Sequence, residues 1–129
     1  MTHRALILAP FSEEHLERLR ERLDLDYQSW MATRRLTDPD ELAATLQNDN
    51  VAVLVVESDF VFEEVFEVAQ VLRFVGVCRN ATNHVDVDAA TRHGVLVVNT
   101  PARNAQAVAE HALGLMFALA RRTTAAHAY

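Results

Sequence analysis

Short apolar runs with strand character alternate along this chain with helix-forming segments, and the links between them are brief. Ala5 to Leu8, Leu25 to Gln28, Val51 to Val56, Arg73 to Cys78 and Val95 to Val98 read as strands. Antiparallel neighbours can be joined by a tight turn, but parallel neighbours need a crossover between them. Strands separated by helices therefore predict an α/β fold with a doubly wound parallel five-stranded sheet. Val51 to Val56 is apolar without interruption, the pattern of a strand covered on both faces.

The helices carry their own start and stop signals. Ser12 is a candidate cap for a helix with Glu13 and Glu14 in its first turn and Leu16, Leu19 and Leu23 on one face. The charge run from Glu13 to Arg22 reads as the solvated face of that helix, laced with pairs such as Glu14 and Arg18. Residues 29–37 read as loop. Asp38-Pro39-Asp40-Glu41 then opens a helix to about Asn48, with a cap, a proline at the first position and early acids. Phe62 to Ala69 is helical, and Asp88 to His93 is a short helix stopped by Gly94.

The closing segment is unusual. From a capping Asn104, AQAVAEHALGLMFALARR continues for about 18 residues, roughly 27 Å of helix at 1.5 Å per residue. Val108, Ala112, Leu115 and Leu119 follow one stripe, and Leu113, Met116, Phe117 and Ala120 widen it to most of the circumference. A helix apolar nearly all round is buried by something. The sheet is expected to cover one side, which leaves the other for a second domain or another subunit.

Bulk properties narrow the function classes. At 129 residues the chain fits one domain with a sizeable core, and 50% hydrophobic with 23% charged residues suits a soluble fold. A net charge of -6 argues against nucleic acid or an anionic membrane as main partner. All twelve basic residues are arginine, so no mechanism that needs a lysine amine is open. A single cysteine, Cys78, forms no internal disulfide, and no apolar run approaches a membrane span. The cytoplasm is the expected location.

In a doubly wound sheet, ligands sit beyond the carboxyl ends of the strands, near a switch in strand order. The candidate loops are Pro10-Phe11, Glu57-Ser58-Asp59, Arg79 to Asn83 and Asn99 to Asn104. Only three glycines occur, Gly76, Gly94 and Gly114, and no two are close together. A phosphate cradle needs backbone free of Cβ atoms, so neither a dinucleotide fingerprint nor a P-loop is present. The chain is expected to bind no dinucleotide by itself, and no metal.

Individual side chains carry competing readings. His84 lies in a candidate loop, where surface exposure is preferred over substrate contact. His93 is a helix-end residue beside Gly94, and Glu110 and His111 fix the docking of the long helix. Cys78 reads as a small buried hydrophobe. Asn104 caps, with ligand contact as a second role. Phe11 is core or lid, and otherwise a pocket wall.

The blocks VDVDAATRHGVLVVNTP and NAQAVAEHALGLMFALARR, within Gly76 to Arg122, resemble the N-terminal substrate domain of the D-isomer-specific 2-hydroxyacid dehydrogenases. The likeness is specific over about residues 73–122. Over 4–72 the order of elements and an Ala-Pro turn after the first strand agree. It implies a flavodoxin-like sheet with a long C-terminal crossover helix. Residues 1–103 would be the substrate-binding domain, 104–122 the crossover helix, and 123–129 a tail leading to a nucleotide-binding domain missing from this chain.

The resemblance also implies a function. The parent would be an oxidoreductase dependent on NAD or NADP, acting on the CH–OH group of a D-2-hydroxy acid. Its catalytic arginine, glutamate and histidine would lie past residue 129, so no residue here is assigned a catalytic role and this chain alone is expected to be inactive. The substrate, a small carboxylate, would be held at Ser58, Arg79, Asn80, Ala81, Thr82 and Asn104. Arg79 and Ala81 stand where the family usually has glycines, and Glu57 where it often has arginine before the serine. The backbone amides of Asn80, Ala81 and Thr82 could form an anion nest, and Arg79 could pair with the carboxylate. A homodimer is expected. The alternative is a non-catalytic flavodoxin-like domain from a shortened gene, acting as a binding or dimerisation module. A phospho-receiver is disfavoured because no lysine exists and Ala9-Pro10 replace the acids it needs.

Overall fold

A computed structural model describes residues 2–127. In chain order the elements are β1 (His3–Ile7), α1 (Glu13–Arg20), β2 (Leu23–Tyr27), α2 (Trp30–Thr33), α3 (Pro39–Asn48), β3 (Val51–Val56), α4 (Glu63–Val68), β4 (Phe74–Val77), α5 (Val87–Arg92), β5 (Leu96–Asn99), α6 (Ala105–Ala120) and α7 (Thr123–His127). The strands form one parallel sheet in the order β2-β1-β3-β4-β5. Strand order reverses between β1 and β3, which places a switch point at their carboxyl ends.

Local signals account for most of the helices. Asp38 caps α3 by accepting from the Asp40 amide at 3.0 Å, and Asp86 caps α5 by accepting from Ala89 at 2.8 Å. Gly94 ends α5 with φ 70°, a backbone that an L side chain resists. Other expectations need correction. Residues 29–37 are not all loop: Trp30–Thr33 close one helical turn because the buried Ser29 accepts from the Met31 amide at 3.3 Å. Ser12 stands at the start of α1, yet its hydroxyl bonds the His15 ring and leaves the capping to its carbonyl. The ion pair on that helix joins Arg20 to Glu13, two turns apart, with none between Glu14 and Arg18.

The main core lies on one face of the sheet. Leu6, Leu54, Val56, Val75 and Val77 meet Leu42 and Leu46 of α3, Val65 and Phe66 of α4, and Ala89 and Ala90 of α5. Each large side chain here contributes about 1.5–3 kcal/mol from burial. Ile7 and Leu16 are buried outside that cluster, which puts α1 over the opposite face, since neighbouring residues of a strand alternate.

That opposite face loses its cover toward β5. Across it the register runs Ile7, Val55, Gly76, Val98 in one row and Ala5, Val53, Phe74, Leu96 in the next. Ile7 and Ala5 are buried, the middle residues half-buried, and Val98 and Leu96 are 45% and 60% exposed. The helix after β5 does not return to cover them. Among the described residues α6 packs against no strand, only against α7. The expectation that the sheet buries one side of this helix is therefore corrected: Leu119 is 79% exposed and Phe117 68%. The chain turns away at Ala102, which holds φ 57°.

Candidate functional site

Four loops at the carboxyl end of the sheet converge on one cavity of about 460 Å³. After β2 comes Trp30, and after β3 come Glu57 and Ser58. Arg79, Asn80 and Ala81 follow β4, and Thr100, Ala102, Arg103 and Asn104 follow β5. Its size suits a small ligand.

Hydrogen bonds that extend the sheet beyond its last ladder position fix these loops. The Trp30 amide donates to the Leu8 carbonyl at 3.1 Å, and the Cys78 amide to Val56 at 2.8 Å. Thr100 donates its amide to the carbonyls of Val77 and Arg79 at 3.1 and 3.2 Å, and the Asn99 side chain donates to the Asn80 carbonyl at 2.7 Å. The last two loops are thereby stitched together.

Glu57 is the hub. One carboxylate oxygen accepts from the Trp30 indole N–H at 2.9 Å, and the other accepts from Arg103. The Glu57 side chain is 13% exposed and that of Arg103 54%. Arg79 is exposed and makes no ion pair among the described residues. The amides of Asn80, Ala81 and Thr82 likewise donate to no described group. One carboxylate and two guanidiniums leave the lining with a single net positive charge.

Of the residues singled out in the sequence, Ser58, Arg79, Asn80, Ala81 and Asn104 are brought together, whereas Thr82 does not line the cavity. Asn104 begins α6 and its carbonyl accepts from Val108 at 3.0 Å, but its side chain makes no cap bond, contrary to expectation. Phe11 is elsewhere, beside His15, Arg18 and Leu19 in a separate depression against α1. Trp30 lies outside the candidate loops, and Arg103 falls inside one of them, Asn99 to Asn104, without a role of its own there. The strand-end rule applies equally to the loop after β2, but nothing local shows that Arg103 meets Glu57.

Two groups behind the site depart from their readings. His84 is not on the surface: it is 3% exposed, and both ring nitrogens lack a partner among the described residues. Burial, then the positive charge of Arg79, hold its pKa below the usual value, against an opposing pull from Asp59. Asp59 is 1% exposed, with one oxygen accepting from the Thr37 amide at 2.8 Å and the other unpartnered. Cys78 is only half-buried. Burial and the Glu57 carboxylate push its thiol up, more than Arg103 pulls it down, so it is a poor nucleophile.

No glycine stands where a dinucleotide pyrophosphate would approach a strand-to-helix turn. Gly76 lies within β4, where an added Cβ would meet the Phe74 ring at 3.1 Å, Gly94 ends α5, and Gly114 is inside α6. These residues do not fit a dinucleotide cradle.

A parallel sheet with this strand order, carrying a cavity at its carboxyl end, defines a flavodoxin-like doubly wound α/β domain. Residues 5–128 match the family described as D-isomer specific 2-hydroxyacid dehydrogenase, catalytic domain, and the chain belongs to that family. YoaD of Bacillus subtilis (strain 168), which carries a 2-hydroxyacid dehydrogenase name, is 41% identical over 123 residues, 95% of this chain and 36% of that protein. D-3-phosphoglycerate dehydrogenase of Mycobacterium tuberculosis (strain H37Rv) is 43% identical over 91 residues, 70% of this chain and 17% of that enzyme. Among solved structures, the TT0316 protein of Thermus thermophilus superposes with a TM-score of 0.79 at 29% identity, covering 98% of this chain and 39% of that one. The chain thus spans about a third or less of the length of these curated relatives.

Proposed function

We propose that this chain is the substrate-binding domain of an NAD- or NADP-dependent oxidoreductase acting on the CH–OH group of a D-2-hydroxy acid, or on the 2-keto acid in reverse. The observation that carries the reading is the unpaired guanidinium of Arg79 beside the free amides of Asn80 and Ala81, both in the cavity lining. Together they offer a carboxylate a charge and backbone N–H donors. Ser58 and Asn104 supply further hydrogen-bonding groups at the rim, and Thr82 supports the loop from just outside it.

Oxidation of a CH–OH group sends a hydride to an acceptor. A nicotinamide held by a separate domain fits that need, since the glycines here form no cradle. Residues 1–103 would hold the substrate and 104–122 would lead to that domain, with 123–129 as the link. A single domain cannot position both reactants, so the 129-residue chain by itself should be inactive. The setting would be cytoplasmic and the assembly a homodimer.

Isothermal titration of NAD and NADP into the 129-residue chain tests the division of labour. Micromolar binding of either would sink it. A second reading draws on the exposed Leu115, Phe117 and Leu119: a non-catalytic module that dimerises through α6. Light scattering that found a strict monomer would remove that reading.

A further inference from the structure

We propose that Glu57 sets the substrate class of this site, selecting a 2-hydroxy acid whose only negative charge is its carboxylate and rejecting a phosphorylated one. The inference rests on the substrate-domain reading and deepens it. Of the three charged groups in the lining, Arg79 alone is unpaired. A ligand carboxylate placed against Arg79 uses that charge.

A phosphate at the ligand's other end would meet Glu57 and Arg103, whose charges cancel. It would shed water without gaining a cation of its own, and would lie beside a carboxylate. Glu57 cannot easily withdraw. Its other oxygen accepts from Trp30, and its side chain is 13% exposed, so parting from Arg103 would strand a poorly hydrated charge. The rest of the lining, Trp30, Ser58, Thr100 and Asn104 among it, carries no charge, which suits an uncharged remainder bearing hydroxyl groups.

The test is a titration of the ¹⁵N-labelled chain with D-glycerate and with 3-phospho-D-glycerate at constant ionic strength, following the amides of residues 79–82. D-glycerate should bind more tightly, on the order of ten-fold. Glu57→Gln should narrow or reverse that ratio by freeing the charge of Arg103. A measurement without any variant stands beside it. Between pH 7.5 and 5.5 the phosphate ester goes from dianion to monoanion by taking up one proton, with a pKa of about 6, and 3-phospho-D-glycerate should gain on D-glycerate. Equal or tighter binding of the phosphorylated acid at pH 7.5 overturns the proposal and leaves the substrate-domain reading standing, as does a ratio indifferent to both Glu57→Gln and pH. If neither acid moves residues 79–82, the substrate-domain reading fails and the proposal with it.

Discussion

Arg103, in the turn before α6, donates to the carboxylate of Glu57 at the end of β3, a residue 46 positions earlier. With the indole of Trp30 on the other oxygen, this contact joins the loops after β2, β3 and β5 at one wall of the cavity. It also ties the body of the domain to the start of α6, which packs against no strand among the described residues.

Arg103→Ala should loosen that wall. Arg103 is about half exposed, but its removal leaves the 13% exposed Glu57 carboxylate with Trp30 as its one partner among the described residues, so the loss should exceed that of a surface pair, at about 1–3 kcal/mol. Trp30 is the only tryptophan, so its emission in urea titrations reports both the stability change and the altered setting of the indole.

Acid should destabilise the fold through His84. Its folded pKa lies below the unfolded value of 6.5, so the unfolded chain binds the extra proton first. The penalty is absent above pH 6.5, grows as pH falls from 6.5 toward the folded pKa, and is complete below it. Melting temperatures between pH 7.5 and 5 should fall with pH in the native chain. Arg79→Gln should move the His84 titration upward, because the positive charge nearby is one cause of the depression. An NMR titration of the His84 ring that stayed put in this variant would contradict the coupling.

Gly94 and Ala102 invite opposite substitutions. Both hold positive φ, at 70° and 57°. Gly94→Ala adds a methyl that touches nothing within 4 Å, so the cost is backbone strain alone, about 1 kcal/mol. Ala102→Gly should relieve strain of similar size, about 1 kcal/mol less the extra freedom of the unfolded chain. Chemical denaturation of the two variants should therefore move in opposite directions.

The bare helix should drive self-association. Val108, Leu113, Leu115, Met116, Phe117 and Leu119 are all more than half exposed, and apolar patches of this kind rarely stay in water. Phe117→Glu combined with Leu119→Glu should shift the light-scattering mass of the native chain toward the monomer. The melting temperature should stay nearly unchanged, because neither side chain packs on the core.

Element order and helix starts were legible in the sequence because their causes are local. Asp38 caps through a neighbour two residues on, Gly94 stops a helix by its own φ, and the Val51–Val56 run is apolar over its whole length. Most strand and helix ends fall within a residue or two of the positions that periodicity predicts, but Leu23, read on the apolar face of the first helix, opens β2 instead, because α1 stops at Arg20. Where a side chain had another bond available, the local rule misled: Ser12 turned to His15, and Ser29 capped a turn in a segment that reads as loop.

The site was partly legible. The strand-end loops take in Ser58, Arg79, Asn80, Ala81 and Asn104, which the family resemblance singles out within them, since a parallel sheet brings all its carboxyl ends to one edge. The same rule could not separate Thr82 and Phe11, which lie in such loops but outside the cavity, nor show that His84 turns inward.

By itself, the sequence determined the α/β class, the parallel sheet and the family, because alternating periods, caps and two long blocks act over a few residues at a time. Only the tertiary structure decided that Glu57 meets Trp30 and Arg103, that both ring nitrogens of His84 are buried without a partner among the described residues, and that α6 leaves the sheet uncovered at Leu96 and Val98. Those facts depend on strand register and on the angle at which the chain leaves β5, and neither is encoded within any one segment.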